Sequence, residues 1–380
     1  MKSLETELNN ILITRMAAGT LRSLKNPNPV LSDFTSNDYL GLSRSKELRH
    51  QIHQKFLSLE LNNGASGSRL LSGNSAYTEE VEQKLAALFH GEAALIFNSG
   101  YSANVGVFSS VPKKNDTILY DELSHASIKD GIRLSLATRY PFHHNDLDDL
   151  ENKIKRSKGK IFIAVESIYS MDGDECPLTD LVSLAEKYDA SIILDEAHST
   201  GSKGPDGSGL ARALGLHDRI DIRIYTFGKA MGVHGACVVG SKTLTQYLVN
   251  FARAFIYTTA LSPHSIVSIN QAFDYLKRNI DLQTRLQSRI ELFLKHCDFK
   301  NRTESKSAIQ TKIFQGNETV KQNANHLQTK GFDIRPILSP TVPKNAERLR
   351  ICLHTFNSDE EIIDLTNELK VLDALSLNTQ

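Results

Sequence analysis

Ser191-Ile192-Ile193-Leu194-Asp195-Glu196-Ala197-His198 is a short apolar run that ends in two carboxylates and an imidazole. A run this brief and this rich in β-branched residues reads as a strand buried on both faces rather than as a helix. Runs of the same kind recur at Ala93–Phe97, 117–120, Ile161–Glu166, Ile222–Thr226 and Ala236–Gly240, with helical patterns between them. One such pattern, Leu178, Leu181, Val182 and Ala185, follows the i, i+3, i+4, i+7 rule of a helix with one buried stripe. The alternation predicts an α/β core with a mostly parallel sheet covered on both faces.

From about Ser262 the pattern changes to a long helical stretch carrying Ile266, Ile269, Phe273, Leu276 and Ile280. Beyond it, 307–314 and 348–353 read as strands, and Ser358 with Glu361 forms a capping box ahead of Ile362, Ile363 and Leu365. The expected division is an N-terminal helix and connecting segment over 1–45, a large α/β domain over 46–275 and a small C-terminal α+β domain over 276–380. Leu4, Leu8, Ile11 and Leu12 recur at helical spacing, which predicts an amphipathic helix packed on the body or on a partner subunit.

Composition removes several function classes. The 380 residues carry 44 Lys plus Arg against 44 Asp plus Glu, so no basic field gathers a phosphate backbone, and nucleic acid is not an expected partner. No apolar stretch approaches the roughly 18 residues of a membrane span, nor does the N-terminus carry the apolar core of a secretory signal. Cys176, Cys237, Cys297 and Cys352 lie far apart, without a Cys-x-x-Cys pair, as expected of free thiols in a reducing cytoplasm.

Ligands of open α/β sheets sit at the carboxyl ends of the strands. After Ala93–Phe97 comes the small-residue turn Asn98-Ser99-Gly100-Tyr101-Ser102-Ala103-Asn104, suited to aiming backbone N–H groups at an anion. After 117–120 comes Asp121-Glu122-Leu123-Ser124-His125-Ala126-Ser127, which brings an imidazole to the same rim. The third end, Asp195-Glu196-Ala197-His198, admits three readings. A helicase box needs a phosphate-binding Gly-x-x-x-x-Gly-Lys-Ser/Thr loop, but Gly228-Lys229 is followed by Ala230 and position 223 is Arg223. A metal site would use Asp195 and His198, yet no further ligands cluster nearby, and no metal is expected. The third reading makes Asp195 the partner of a protonated heterocyclic nitrogen, and it depends on the fourth strand end.

There, Tyr225-Thr226-Phe227-Gly228-Lys229-Ala230-Met231-Gly232-Val233-His234-Gly235 isolates one lysine among small residues. A lysine is ordinarily a solvated surface charge. Held between glycines at a strand end, it can approach a carbonyl, and partial burial favours the free amine that attacks it. Pyridoxal phosphate needs such a lysine, an acid for its ring nitrogen and amide donors for its phosphate. All three are present.

These residues resemble the α-oxoamine synthases, fold-type I pyridoxal-phosphate enzymes of the aspartate-aminotransferase-like class that condense an amino acid with an acyl thioester. The resemblance runs in family order through Ser36-Asn37-Asp38-Tyr39-Leu40-Gly41-Leu42, Gly67-Ser68-Arg69, Ser99-Gly100-Tyr101, His125-Ala126-Ser127, Ser170-Met171-Asp172-Gly173-Asp174, Asp195-Glu196-Ala197-His198, Thr226-Phe227-Gly228-Lys229 and Pro340-Thr341-Val342-Pro343 with Arg348-Leu349-Arg350. It implies a seven-stranded sheet, a homodimer with shared active sites, and a set of roles. Lys229 would hold the cofactor and remove the substrate α-proton, Asp195 would keep the pyridine nitrogen protonated, and His125 would stack on the ring. Ser170 and His198 would bond around the phenolic oxygen. Gly100, Tyr101 and Thr226 would hold the phosphate, with Thr258 reaching that of the neighbouring subunit. Arg350 would pair with the amino-acid carboxylate, and Asn37 would border the substrate. Within the family, Leu21-Arg22, Ser307-Ala308-Ile309-Gln310 and Ile334-Arg335-Pro336 resemble the branch that joins L-alanine to a pimeloyl thioester of coenzyme A or a carrier protein in biotin synthesis, where Arg22 and Thr341 would contact substrate. Rival readings are a synthase acting on glycine or serine, and a non-catalytic subunit. Position 78 is Thr where many members carry His, and the segment 27–34 is short for the β-hairpin that commonly stands there.

Overall fold

A computed structural model describes residues 3–26 and 28–377. Helix α1 (Ser3–Ala17) and a two-residue strand β1 (Ser32–Asp33) open the chain, followed by helices α2 (Lys46–Ser58) and α3 (Ala76–Leu88). Strand β2 (Ala93–Phe97), helix α4 (Gly100–Ser110), strand β3 (Thr117–Asp121) and helix α5 (Ala126–Leu134) begin the alternating region. It continues through strands β4 (Thr138–Phe142), β5 (Ile161–Glu166), β6 (Ser191–Asp195), β7 (Ile222–Thr226) and β8 (Ala236–Gly240). These form one seven-stranded sheet in the order β2-β8-β7-β6-β5-β3-β4. The pairs from β7 through β6, β5 and β3 to β4 are parallel, and β8 runs antiparallel to both β2 and β7.

Alternation along β6 shows why the sheet is covered on both faces. Ile193 belongs to a core shared with Val107 and Phe108 of α4 and Ile128 and Ile132 of α5. Its neighbours Ile192 and Leu194 point the other way, into a core with Leu150, Leu181 and Val182. Each such side chain, when fully buried, contributes about 1.5–3 kcal/mol, and these are at most 1% exposed. The six runs read as strands from sequence are all strands. The seventh, β4, is an edge strand with four of its five residues exposed and Pro141 within it, so no apolar run marks it.

The chain divides into two compact units. The larger comprises Asn37–Ser170 and Asp174–Leu286 and holds the seven-stranded sheet. The other takes the residues up to Ser36, Met171–Gly173 and the chain from Gln287 onward. Its three-stranded antiparallel sheet has the order β11-β12-β9, from strands β9 (Ile309–Ile313), β11 (Arg335–Ile337) and β12 (Arg348–Cys352); β1 pairs in parallel with β10 (Phe332–Asp333). The Ser358–Glu361 capping box forms as expected, with Ser358 N–H donating to Glu361 Oε2 at 2.9 Å and Glu361 N–H donating to Ser358 Oγ at 3.1 Å. The long helical stretch is split: Pro263–Arg278 ends at Asn279, and a second helix spans Asp281–His296.

Of the two placements expected for the first helix, packing on the body is the one the structure does not show. Helix α1 forms, but none of its residues is buried, and Leu4, Leu8, Ile11 and Leu12 are 50–65% exposed. Ile13 and Met16 add apolar groups off the expected stripe, so the helix has no single apolar face to set against the body. Of the segment 27–34, Pro27 lies outside the described residues; Ser32 and Asp33 form β1 rather than a hairpin. Among the described residues no helix is long and apolar enough to cross a membrane.

Candidate active site

Five strand ends of the large unit meet at a cavity of about 250 Å³, lined by Gly100, Tyr101, His125, Glu166, Asp195, Thr226 and Lys229 among others. The turn after β2 enters α4 through a capping box in which the Ser99 and Ser102 hydroxyls each accept the other's backbone N–H. Gly100 is required by close approach: a Cβ there would lie 2.2 Å from Thr226 Oγ1 at the end of β7. The first N–H groups of α4, left without helical acceptors, thus lie beside the Thr226 hydroxyl, an arrangement suited to a phosphate. Tyr101 is half exposed, and its hydroxyl is tied to Asp130.

The Asp195-Glu196-Ala197-His198 stretch divides its labour. Asp195 is 5% exposed, and its carboxylate accepts from Ala197 N–H at 2.9 Å and from Asn104 Nδ2 at 2.7 Å. Glu196 turns away: its carboxylate is fully buried and accepts from Leu210 N–H at 2.9 Å and Ala211 N–H at 2.8 Å, holding the start of a short helix. Burial raises its pKa, against those hydrogen bonds. His198 Nε2 lies 2.8 Å from Lys229 Nζ, and its Nδ1 lies 2.8 Å from the hydroxyl of buried Tyr39, which donates to Asn37 Oδ1 at 3.2 Å. Lysine, imidazole, phenol and amide therefore form one hydrogen-bonded row.

His125 caps α5. Its Nδ1 accepts from Ser127 N–H at 3.2 Å and sits 2.7 Å from Ser127 Oγ, while the His125 backbone N–H donates to Glu166 Oε1 at 2.5 Å. Burial holds the ring below the ordinary imidazole pKa; the Asp195 charge opposes this and Lys229 reinforces it. Glu166, at the end of β5, is 2% exposed. Its carboxyl is pushed up to about 8, first by burial and then by the charge of Asp195.

Most of the residues expected from sequence in the large unit are thus brought together, and Thr258 lies apart. Thr258 lies in a separate recess with Arg69 and Phe255, where its hydroxyl accepts from Asn98 Nδ2 at 3.1 Å. Ser170 is half-buried in the loop after β5. In the smaller unit, Arg22 Nη2 donates to Thr341 Oγ1 at 3.3 Å, joining two residues that sequence reading paired only by resemblance. Arg350 lies on β12 opposite Arg335 of β11 and Thr311 of β9, is 8% exposed, and has its Nη1 2.9 Å from Cys352 Sγ. Thr78, the departure from the family pattern, is buried in the first turn of α3 and capped by Ser75. Asn104 and Glu166 were missed as site residues. For Glu166 a signal was available, since it ends a strand; for Asn104 only its place one helical turn beyond Gly100 was legible, not its partners.

The residue set fits pyridoxal phosphate. A lysine amine at the rim, a buried carboxylate, a neutral imidazole and a helix start beside a threonine hydroxyl supply every contact that group needs, in one cavity.

Comparison with known proteins agrees. The family model described as aminotransferase class I and II matches residues 30–365. A protein of Emericella nidulans named 8-amino-7-oxononanoate synthase is 41% identical over 87% of this chain and 86% of its own length. Among solved structures, serine palmitoyltransferase of S. paucimobilis, determined with a PLP adduct of myriocin, superposes with a TM-score of 0.88 at 25% identity over 99% of both chains. The 8-amino-7-oxononanoate synthase of Francisella tularensis gives a TM-score of 0.78 at 29% identity, over 93% of this chain and all of that one. The chain belongs to the aminotransferase class I and II family.

Proposed function

We propose that the protein is a pyridoxal-phosphate-dependent α-oxoamine synthase that condenses L-alanine with a pimeloyl thioester to give 8-amino-7-oxononanoate. The observation that carries this reading is the convergence of Lys229, Asp195 and His125 on one cavity beside Gly100 and Thr226, with His198 Nε2 2.8 Å from the Lys229 amine. Relatives bearing that enzyme's name, at 36–41% identity, support it.

Lys229, Asp195, His125, Thr226 and the Gly100 and Tyr101 amides would hold the cofactor, with His198 and Ser170 at its phenolic edge and Thr258 serving the partner subunit of a homodimer. When bound, the cofactor supplies an electron sink for the pair left on the α-carbon, first as its proton departs and later as carbon dioxide does. Lys229 takes the α-proton, and His198, 2.8 Å from its Nζ, is placed to share it. Asp195, 5% exposed, would favour a protonated ring nitrogen when the cofactor is bound. Arg350 would bind the amino-acid carboxylate as a planar fork, while Asn37, Arg22 and Thr341 would contact substrate. Across the reaction a carbon–carbon bond forms at the acyl carbonyl, the carbon–sulfur bond breaks to release thiol, and the carboxylate leaves as carbon dioxide with a proton taking its place.

The test is thiol release by the purified, pyridoxal-phosphate-loaded protein given pimeloyl-CoA with L-alanine, glycine or serine. Release confined to alanine, with the product identified by mass, is the expected result. Release with glycine or serine instead would assign another member of the family.

A further inference from the structure

Asn104 occupies the centre of a buried hydrogen-bond path that the reaction scheme leaves unused. The residue is 1% exposed, as is Ser127. Its Nδ2 donates to Asp195 Oδ2 at 2.7 Å and to Ser127 Oγ at 3.0 Å, which uses both amide hydrogens. Ser127 Oγ in turn lies 2.7 Å from His125 Nδ1. The path therefore joins the acid beneath the cavity to the imidazole on its wall.

Its direction follows from donor and acceptor chemistry. A carboxylate only accepts, so the group of Asn104 facing Asp195 is the amine, and its second hydrogen goes to Ser127. The serine oxygen, already accepting, turns its own hydrogen onto His125 Nδ1. The Ser127 backbone N–H, 3.2 Å from the same nitrogen, requires an acceptor there as well. Nδ1 is thus bare, and the neutral ring carries its proton on Nε2. A tautomer set by the partner of the other ring nitrogen is the usual way a histidine is fixed.

We propose that Asn104 is a positioning residue that ties the Asp195 carboxylate to the His125 ring and fixes the imidazole as its Nε2–H tautomer, a hydrogen-bond donor. Asn104 also lies one turn beyond Gly100 on α4, so one rigid helix sets both the anion cradle at its start and the Asp195 contact within it. Packing holds that helix in place: a Cβ on Gly131 of α5 would come within 2.9 Å of the Asn104 carbonyl oxygen. This deepens the functional reading and rests on it only for what the cavity binds.

The decisive experiment is long-range ¹⁵N NMR of the full-length, histidine-labelled protein at a pH where His125 is neutral, with His125→Gln used to assign its signals. Wild type is expected in the Nε2–H form. Asn104→Asp keeps the shape but reverses the path: the new carboxyl, ionised or sharing a proton with Asp195, accepts from Ser127, whose oxygen then accepts from His125. The Nδ1–H population should rise above that of wild type, opposed by the longer Ser127 backbone N–H contact. A wild-type ring already in the Nδ1–H form, or an Asn104→Asp ring unchanged from wild type, overturns the proposal.

A second arm needs no particular tautomer signal. Asn104→Ala and Ser127→Ala should each weaken pyridoxal phosphate binding roughly tenfold, as expected for loss of one charge-linked hydrogen bond. The double variant should be no weaker than either, because both cut one path. Additive losses of roughly a hundredfold would overturn it. If wild type binds no pyridoxal phosphate, the functional reading fails, and the tautomer measurement still decides this proposal.

Discussion

Glu166→Gln should remove a pH-dependent weakness built into the site. The Glu166 carboxyl is 2% exposed and stands near Asp195, and burial with that charge pushes it from the ordinary 4.5 up to about 8. A folded-state pKa above the unfolded one means the folded chain holds the proton longer. The contribution is therefore complete below about pH 4.5 and is lost as pH rises through about 8. At about 1.4 kcal/mol per pH unit across that window, wild-type stability should fall by about 4 kcal/mol between pH 5 and pH 9 from this group alone. Glutamine keeps an oxygen to accept the His125 N–H, now 2.5 Å from Glu166 Oε1, and has no proton to lose. Urea unfolding of both cofactor-free proteins across that range checks this. The variant should gain on wild type steadily with pH, by about 4 kcal/mol in all. Two curves that stay parallel within about 1 kcal/mol would refute the reasoning.

Other outcomes follow from single contacts. Gly100→Ala places a methyl 2.2 Å from Thr226 Oγ1, so pyridoxal phosphate affinity, read by spectral titration, should fall at least roughly tenfold, with the fold intact by circular dichroism. His144 accounts for a second stability effect of the same pH sense, over a higher range. Burial pulls its pKa down, but hydrogen bonds and charge from Asp121 and Asp174 push it up to about 10. His144→Gln should cost about 2–3 kcal/mol in thermal unfolding at pH 6, with the difference fading as pH rises through about 10. Arg22→Ala should raise KM for the acyl thioester roughly tenfold with little change in kcat, as expected for loss of binding common to ground and transition states; an unchanged KM rules out a substrate role.

The large unit was legible in sequence because its strands are apolar runs fully enclosed by helices, and because its chemistry lies at their ends. Strand β4 was not, since exposure and Pro141 erase the signal that burial writes into the others. Asp195 and His198 could be read as a pair, but not that Glu196 between them serves a helix start fifteen residues on, which depends on Gly209 bringing that backbone against the carboxylate. Asn104 illustrates the deeper limit. Its importance comes from meeting Asp195, 91 residues away, and Ser127, 23 residues away, and no local spacing records that encounter. Conversely, α1 shows that apolar residues at helical spacing need not mark a face packed within the same chain.

The central claim is that the chemistry takes place at Lys229. Borohydride reduction of the purified, pyridoxal-phosphate-loaded protein, followed by peptide mass spectrometry, tests it most directly. The expected result is a single pyridoxyl group, on Lys229 and absent from Lys229→Ala. A label on another lysine, or none in protein shown to be folded, would contradict it.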